Sequence, residues 1–282
     1  MTEIFSFTPM PTFVSWAASA AFSWIALVAA SAAPDSFFRA DDVVAIVGGE
    51  DSVVLRDDPV FERSILQQPG LSGVKFRNLA FEGDTVFEQF RDLNFPSWED
   101  QMKSTGATVI VAQFGKMESL HGPTGVAEFA AACENLLARM AGESRRVIVL
   151  SAQPPEGAAP QAVAPYNAAI RTLATKHGWI YADTTGKSPA AAVSETLGFT
   201  TPVDPRPHPL DKLILKKNNL WFHYWHPQNW AFLHGDRTEQ PSSRDHIDPT
   251  KRWFPEEMNQ WLPLIAAQEK DIQQTLDADR KP

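Results

Sequence analysis

Residues able to do chemistry gather behind three apolar runs. Gly48-Gly49-Glu50 follows residues 43–47, Gly83-Asp84-Thr85 follows 74–81, and Gly115-Lys116-Met117-Glu118 follows 109–114. Each block puts a glycine at the end of a strand-like run, which is where open α/β sheets bind their ligands. Hydrolysis by a nucleophile needs a hydroxyl, a histidine to take its proton, an acid to hold that histidine, and donors for the developing oxyanion. Ser52 is the hydroxyl beside the first block, two residues past Glu50. Glu50 is itself a carboxylate, but its attack on an ester would give an anhydride and needs a different partner set. Met117 has no side-chain donor, and losing one oxyanion donor costs about 10²–10³-fold in rate. Asp245-His246 with Asp248 is the best acid–imidazole set, provided the tail folds back over the pocket. His208 has Asp204 four residues before it and prolines around it, which suits that role poorly. His223, His226 and His234 are spaced irregularly across Pro227, and no cysteine or glutamate completes a metal motif around them. Neither a metal nor a cofactor is expected. Plain structural readings stand beside these. A glycine can close a tight turn, His246 can anchor the tail through hydrogen bonds, and Cys133 can be a small buried hydrophobe in a helix.

The elements that would carry the blocks alternate. Strand-like runs cover residues 43–47, 74–79, 108–113, 146–150 and 179–182. Helix-like patterns cover 59–68, 85–92 with 98–104, 124–141 and 161–177. Strands separated by helices make parallel crossovers, so the expected fold is α/β, a flavodoxin-like three-layer sandwich on a parallel sheet. Loops are expected at 69–73 and 154–160, and a proline-rich linker at 200–209. Beyond the linker, a helix from Leu210 should end near Trp225, because Pro227 cannot continue it. A last helix over 254–276 carries Pro263, expected as a kink. The domain organisation is therefore 1–34, 35–199 and a helical, aromatic-rich C-terminal extension over 200–282.

Composition bounds the function. The 282 residues carry a formal charge of −9, which gives no support to nucleic-acid binding. One cysteine excludes an internal disulfide and any multi-cysteine zinc site. Nine tryptophans and 18 phenylalanines exceed what one core requires, and surplus aromatics mark interfaces.

The N-terminal region is apolar. From Thr12 to Ala33 no residue is charged, and the stretch matches the roughly 20 residues that span a bilayer as a helix. Ala30-Ser31-Ala32 and Ser31-Ala32-Ala33 look like cleavage sites, but a basic leader is missing and the apolar stretch exceeds the roughly 7–15 residues of a signal core. An uncleaved transmembrane anchor is the expectation. Ser15, Ser19, Ser23, Ala26 and Ala30 give it a small-residue face suited to packing against other membrane-protein subunits.

The order and spacing of the three blocks resemble the SGNH/GDSL hydrolase superfamily. Asn78-Leu79-Ala80-Phe81-Glu82-Gly83-Asp84-Thr85, Phe114-Gly115-Lys116-Met117-Glu118-Ser119 and the aromatic tail are similar to its SGNH-like domains of planctomycete type. The resemblance implies a Gly-Asp-Ser nucleophile in block one, an oxyanion glycine in block two, and a Gly-x-Asn-Asp in block three. It also implies an Asp-x-x-His after the last strand. Here Glu50 stands in the serine's place and Met117 in the asparagine's, and residues 184–209 hold no Asp-x-x-His. The expectation is a catalytically degenerate domain whose vestigial pocket holds Gly48, Gly49, Glu50, Ser52, Gly83, Gly115, Met117, Glu118 and His246. Such a pseudoenzyme would serve as an accessory subunit of a bacterial inner-membrane complex, for instance one for electron transfer or light harvesting. Its main domain would be periplasmic, as exported members of the superfamily are. The alternative is a working serine ester hydrolase using Ser52, or a variant site with His246.

Overall fold

The structure, a computed structural model, describes residues 37–91 and 93–280. Its first strand, β1 (Val43–Gly48), leads into a short α1 (Glu50–Val53) and then α2 (Pro59–Leu66). There follow β2 (Lys75–Asn78), α3 (Trp98–Thr105), β3 (Val109–Gln113), α4 (Val126–Ala141), β4 (Arg146–Leu150), α5 (Ala164–His177), β5 (Ile180–Ala182) and α6 (Pro189–Leu197). All strand pairs are parallel and lie in the order β2-β1-β3-β4-β5. That order reverses direction between β1 and β3, so a crevice opens outside their C-terminal ends.

The strands are apolar without interruption because both faces of the sheet are covered. In β1, Ala45 and Val47 join the core under α3, α4 and α5, while Val44 and Ile46 join the core under α2 and α6. This is the three-layer sandwich expected from the alternation of runs. The helices start on local signals. The Asp58 carboxylate accepts from Val60 N–H with Pro59 in the first turn, and Ser97 caps α3 in the same way.

Two local expectations are corrected and one helix is added. Among the described residues, 85–91 form no helix. The chain turns back instead: Thr85 N–H donates to Glu88 O at 3.0 Å, and the Thr85 carbonyl, which a helix would offer to Gln89 N–H, accepts from Gln89 Nε2. Residues 189–197, assigned to no element from sequence, form α6, capped by Ser188 with Pro189 in its first turn and Gly198 at its end. Pro263 does not kink a helix. The closing segment breaks earlier, into α9 and α10 below, and Pro263 falls in the first turn of the second, where a missing N–H costs no hydrogen bond.

The extension consists of α7 (Pro209–Trp225), α8 (Trp230–Leu233), α9 (Trp253–Asn259) and α10 (Trp261–Asp279). Helices α7 and α10 lie across the outer edge of β2. Leu210 and Ile214 of α7 belong to one core and Trp221 to the other; Ile272 and Ile265 of α10 divide likewise. Trp221 Nε1 donates to Asn78 O at 2.8 Å, and Arg77 of β2 pairs with Glu269 of α10 at 2.5 Å. An exposed sheet edge is a template for unwanted pairing, and this strap removes one of the two. Two charged pairs fix its register: Arg63 with Asp211 at 2.7 Å and Lys217 with Glu62 at 2.6 Å. The expected transmembrane anchor from Thr12 to Ala33 lies outside the described residues. Among those described, no helix is long and apolar enough to cross a membrane.

Candidate functional site

The three blocks meet at the C-terminal edge of the sheet, and close approach leaves no room for a side chain at Gly48 and Gly49. Gly48 has φ +141°, and a Cβ there would lie 2.2 Å from Gln113 O and 2.3 Å from Ser52 Oγ. A Cβ on Gly49 would lie 2.5 Å from Asp84 O. Block one is thus pressed against the end of β3 on one side and against block two on the other. Gly115, at φ +114°, packs on Ala152. Gly83 differs: it is exposed, with open space where a side chain would be, so only its φ of +84° requires glycine.

The nucleophile's place is closed. Ser52 is 0% exposed, and its Oγ donates to Val47 O at 2.9 Å. Its carbonyl accepts from Asn78 Nδ2 at 2.9 Å. Helix α1 begins at Glu50, so a residue two positions on turns toward the sheet rather than the crevice. Glu50 does face outward, but Lys116 Nζ bridges its carboxylate at 3.1 Å and that of Asp51 at 3.2 Å. Asp51 also accepts from Gln153 N–H at 3.3 Å. Partial burial pulls the Lys116 ammonium down, and the two carboxylates more than offset this, holding it above its ordinary value. A lysine kept protonated is no general base, and carboxylates neutralised by it make poor nucleophiles.

A buried carboxylate lies beside the blocks as well. Glu118 is buried, and its two oxygens accept from Val86 N–H and Gly115 N–H, each at 2.8 Å. A carboxylate of the chain itself therefore holds one backbone donor just past block two and one in block three. Met117 is 43% exposed and contributes no donor. Beside it, Asp84 is buried in a bidentate pair with Arg91, both contacts 2.7 Å, and the guanidinium lies 3.8 Å from the Phe81 ring centroid. Burial raises the Asp84 carboxyl above its ordinary value, against the pull of Arg91.

No histidine serves the site. Among the described residues none is hydrogen-bonded to Ser52 or Glu50. His246 is exposed in the loop between α8 and α9, and no hydrogen bond joins it to the eight other residues of the expected pocket. Its neighbour Asp245 accepts from Ile247 N–H at 2.7 Å and Asp248 N–H at 2.9 Å, a local turn that leaves the imidazole unsupported. His208 caps α7, its Nδ1 accepting from Leu210 N–H at 3.2 Å. His226 approaches block two, with Nε2 donating to Ala80 O at 3.2 Å and the ring against Phe81 and Phe222. Burial pushes it down to about 4, so it is neutral near pH 7. Among the described residues, no group of His, Cys, Asp and Glu is arranged to hold a metal ion.

Sequence reasoning overlooked Asp51, Lys116 as an ion-pair partner, Gln153, and the Asp84–Arg91 pair. Lys116 had a legible signal: it stands in block three, after the strand that neighbours β1 in a sheet of this type. Gln153 carried none, because only the sheet brings the end of β4 to α1.

Strand order and parallel pairing define a flavodoxin-like, doubly wound α/β fold, with the three blocks meeting at its C-terminal edge. No family model and no curated protein matches the chain. Among solved structures it is similar to a catalytic mutant of Axe2, an acetylxylan esterase from Geobacillus stearothermophilus, at 11% identity. That match has a TM-score of 0.42 and covers 68% of this chain and 97% of that one. It is similar to TesA at 16% identity and TM-score 0.39, over 56% of this chain and 94% of that one. A third is BT4096, a gut microbial diltiazem-metabolizing enzyme, at 15% identity and TM-score 0.40, over 65% of this chain and 47% of that one. Overlaps this loose carry no residue roles across.

Proposed function

We propose that this chain is an SGNH-like domain that has lost ester hydrolysis and acts by binding, as a membrane-anchored accessory subunit. One observation carries the loss: the hydroxyl beside block one, Ser52 Oγ, is sealed and donates to Val47 O. The Lys116 bridge over Glu50 and Asp51 and the Glu118 clasp on two N–H groups support it, since each holds its partners in a resting arrangement. The anchor rests on the apolar stretch from Thr12 to Ala33 in the sequence, and the binding role on the aromatic extension. Purified full-length protein in detergent should hydrolyse p-nitrophenyl acetate and butyrate no faster than buffer. Turnover that disappears in Ser52→Ala or His246→Ala would overturn the proposal and restore the serine ester hydrolase. For the subunit role, affinity isolation from the native membrane should recover integral membrane chains in fixed ratio to this one.

A further inference from the structure

The strap over β2 leaves a cavity of about 190 Å³ between α2, the outer edge of β2 and α10. A single water needs only about 10–15 Å³ measured this way. Its lining is unusual for a chain of net charge −9: three lysines, Lys75, Lys217 and Lys270, against two glutamates, Glu62 and Glu269. Glu269 is already held by Arg77. Lys217 is 2% exposed, and its ammonium donates to Glu62 Oε2 at 2.6 Å and to no other acceptor among the described residues. An ammonium carries three donors, and leaving buried donors unmet is costly. A second donor points the same way. Lys75 N–H and Leu79 N–H donate toward β1, so the alternation of a parallel ladder turns Phe76 N–H outward, on the side where Asn78 O meets Trp221. Phe76 lines the cavity. The remaining wall is apolar, from Leu66, Val74 and Ile272.

We propose that this cavity binds a short-chain monocarboxylate, with its carboxylate on Lys217 and its alkyl body against Leu66, Val74 and Ile272. The site is independent of the crevice above β1 and β3, so it stands whether or not the domain hydrolyses esters. Isothermal titration of the full chain with sodium butyrate, against sodium chloride at equal ionic strength, tests it. Saturable binding at one site per chain is expected. At ten times Kd, Tm should rise by about 3–6 °C. Ala266→Trp, at an exposed position on the cavity's lining in α10, should plug it and weaken binding at least about tenfold while leaving the Glu62–Lys217 pair untouched. The paired change Lys217→Met with Glu62→Gln should abolish binding without stranding a charge. No saturable butyrate binding, unchanged affinity in Ala266→Trp, or tighter binding of sodium phosphate than of butyrate would each overturn the assignment.

Discussion

Replacing Glu118 by alanine separates a clasp that shapes the pocket from a carboxylate that merely happens to lie there. Its oxygens accept from Val86 N–H and Gly115 N–H at 2.8 Å each, and the residue is buried. Alanine leaves both donors without an acceptor, and an unmet buried N–H costs about 1–3 kcal/mol. The expected loss is therefore about 2–6 kcal/mol, a large part of the 5–15 kcal/mol that holds a typical domain together. At roughly 2–4 °C per kcal/mol, Tm should fall by about 10 °C. Glu118→Gln keeps one acceptor and turns an amide toward the other donor, so its loss should lie between alanine and wild type. Thermal and urea melts of the full chain, followed by circular dichroism, measure both, with Glu128→Ala on the exposed face of α4 as control. A loss below about 0.5 kcal/mol in Glu118→Ala, the size of an ordinary surface change, would refute the reasoning. Esterase activity should stay at background in this variant, because Ser52 Oγ still donates to Val47 O.

Gly48→Ala should prevent soluble expression or cost at least about 2–3 kcal/mol, since its Cβ meets a carbonyl at 2.2 Å on a backbone that side chains rarely adopt; an ordinary melt would contradict this. His226 has a folded value near 4, below the ordinary 6.5, so from pH 6.5 down to 4 the unfolded chain takes up a proton that the folded chain refuses. Stability should fall over that window by up to about 3 kcal/mol, and His226→Phe should flatten that part of the curve. Burial pushes the Cys133 thiol up to about 12, so iodoacetamide near pH 8 should label it only after denaturation. Trp225→Ala removes the ring stacked 5.6 Å from Trp221 and should expose residues 200–209 to protease before the sheet unfolds; unchanged cleavage would make the extension a free appendage.

Much of this molecule was legible from residue order. Apolar runs separated by helical patterns dictate a parallel sheet, since a strand buried on both faces must be apolar throughout and a parallel return needs a crossover. The helix ending before Pro227 followed from a missing N–H. The absence of a serine and an asparagine from their blocks needed no coordinates either. What pattern could not show is where side chains at neighbouring positions end up once the chain closes on itself. The turn found over 85–88 in place of a helix is fastened by Glu118, some thirty residues away, which accepts from Val86 N–H. Ser52 was open to either reading until α1 was seen to start at Glu50, which turns its hydroxyl beneath the sheet's edge. Lys116 meets Asp51, and Asp51 meets Gln153, only because β3 lies between β1 and β4. Identity and spacing act locally, so residue order alone determined the elements and the residue types that each block carries. Which donors the remaining groups satisfy is a property of three-dimensional neighbours, and only the tertiary structure decided it.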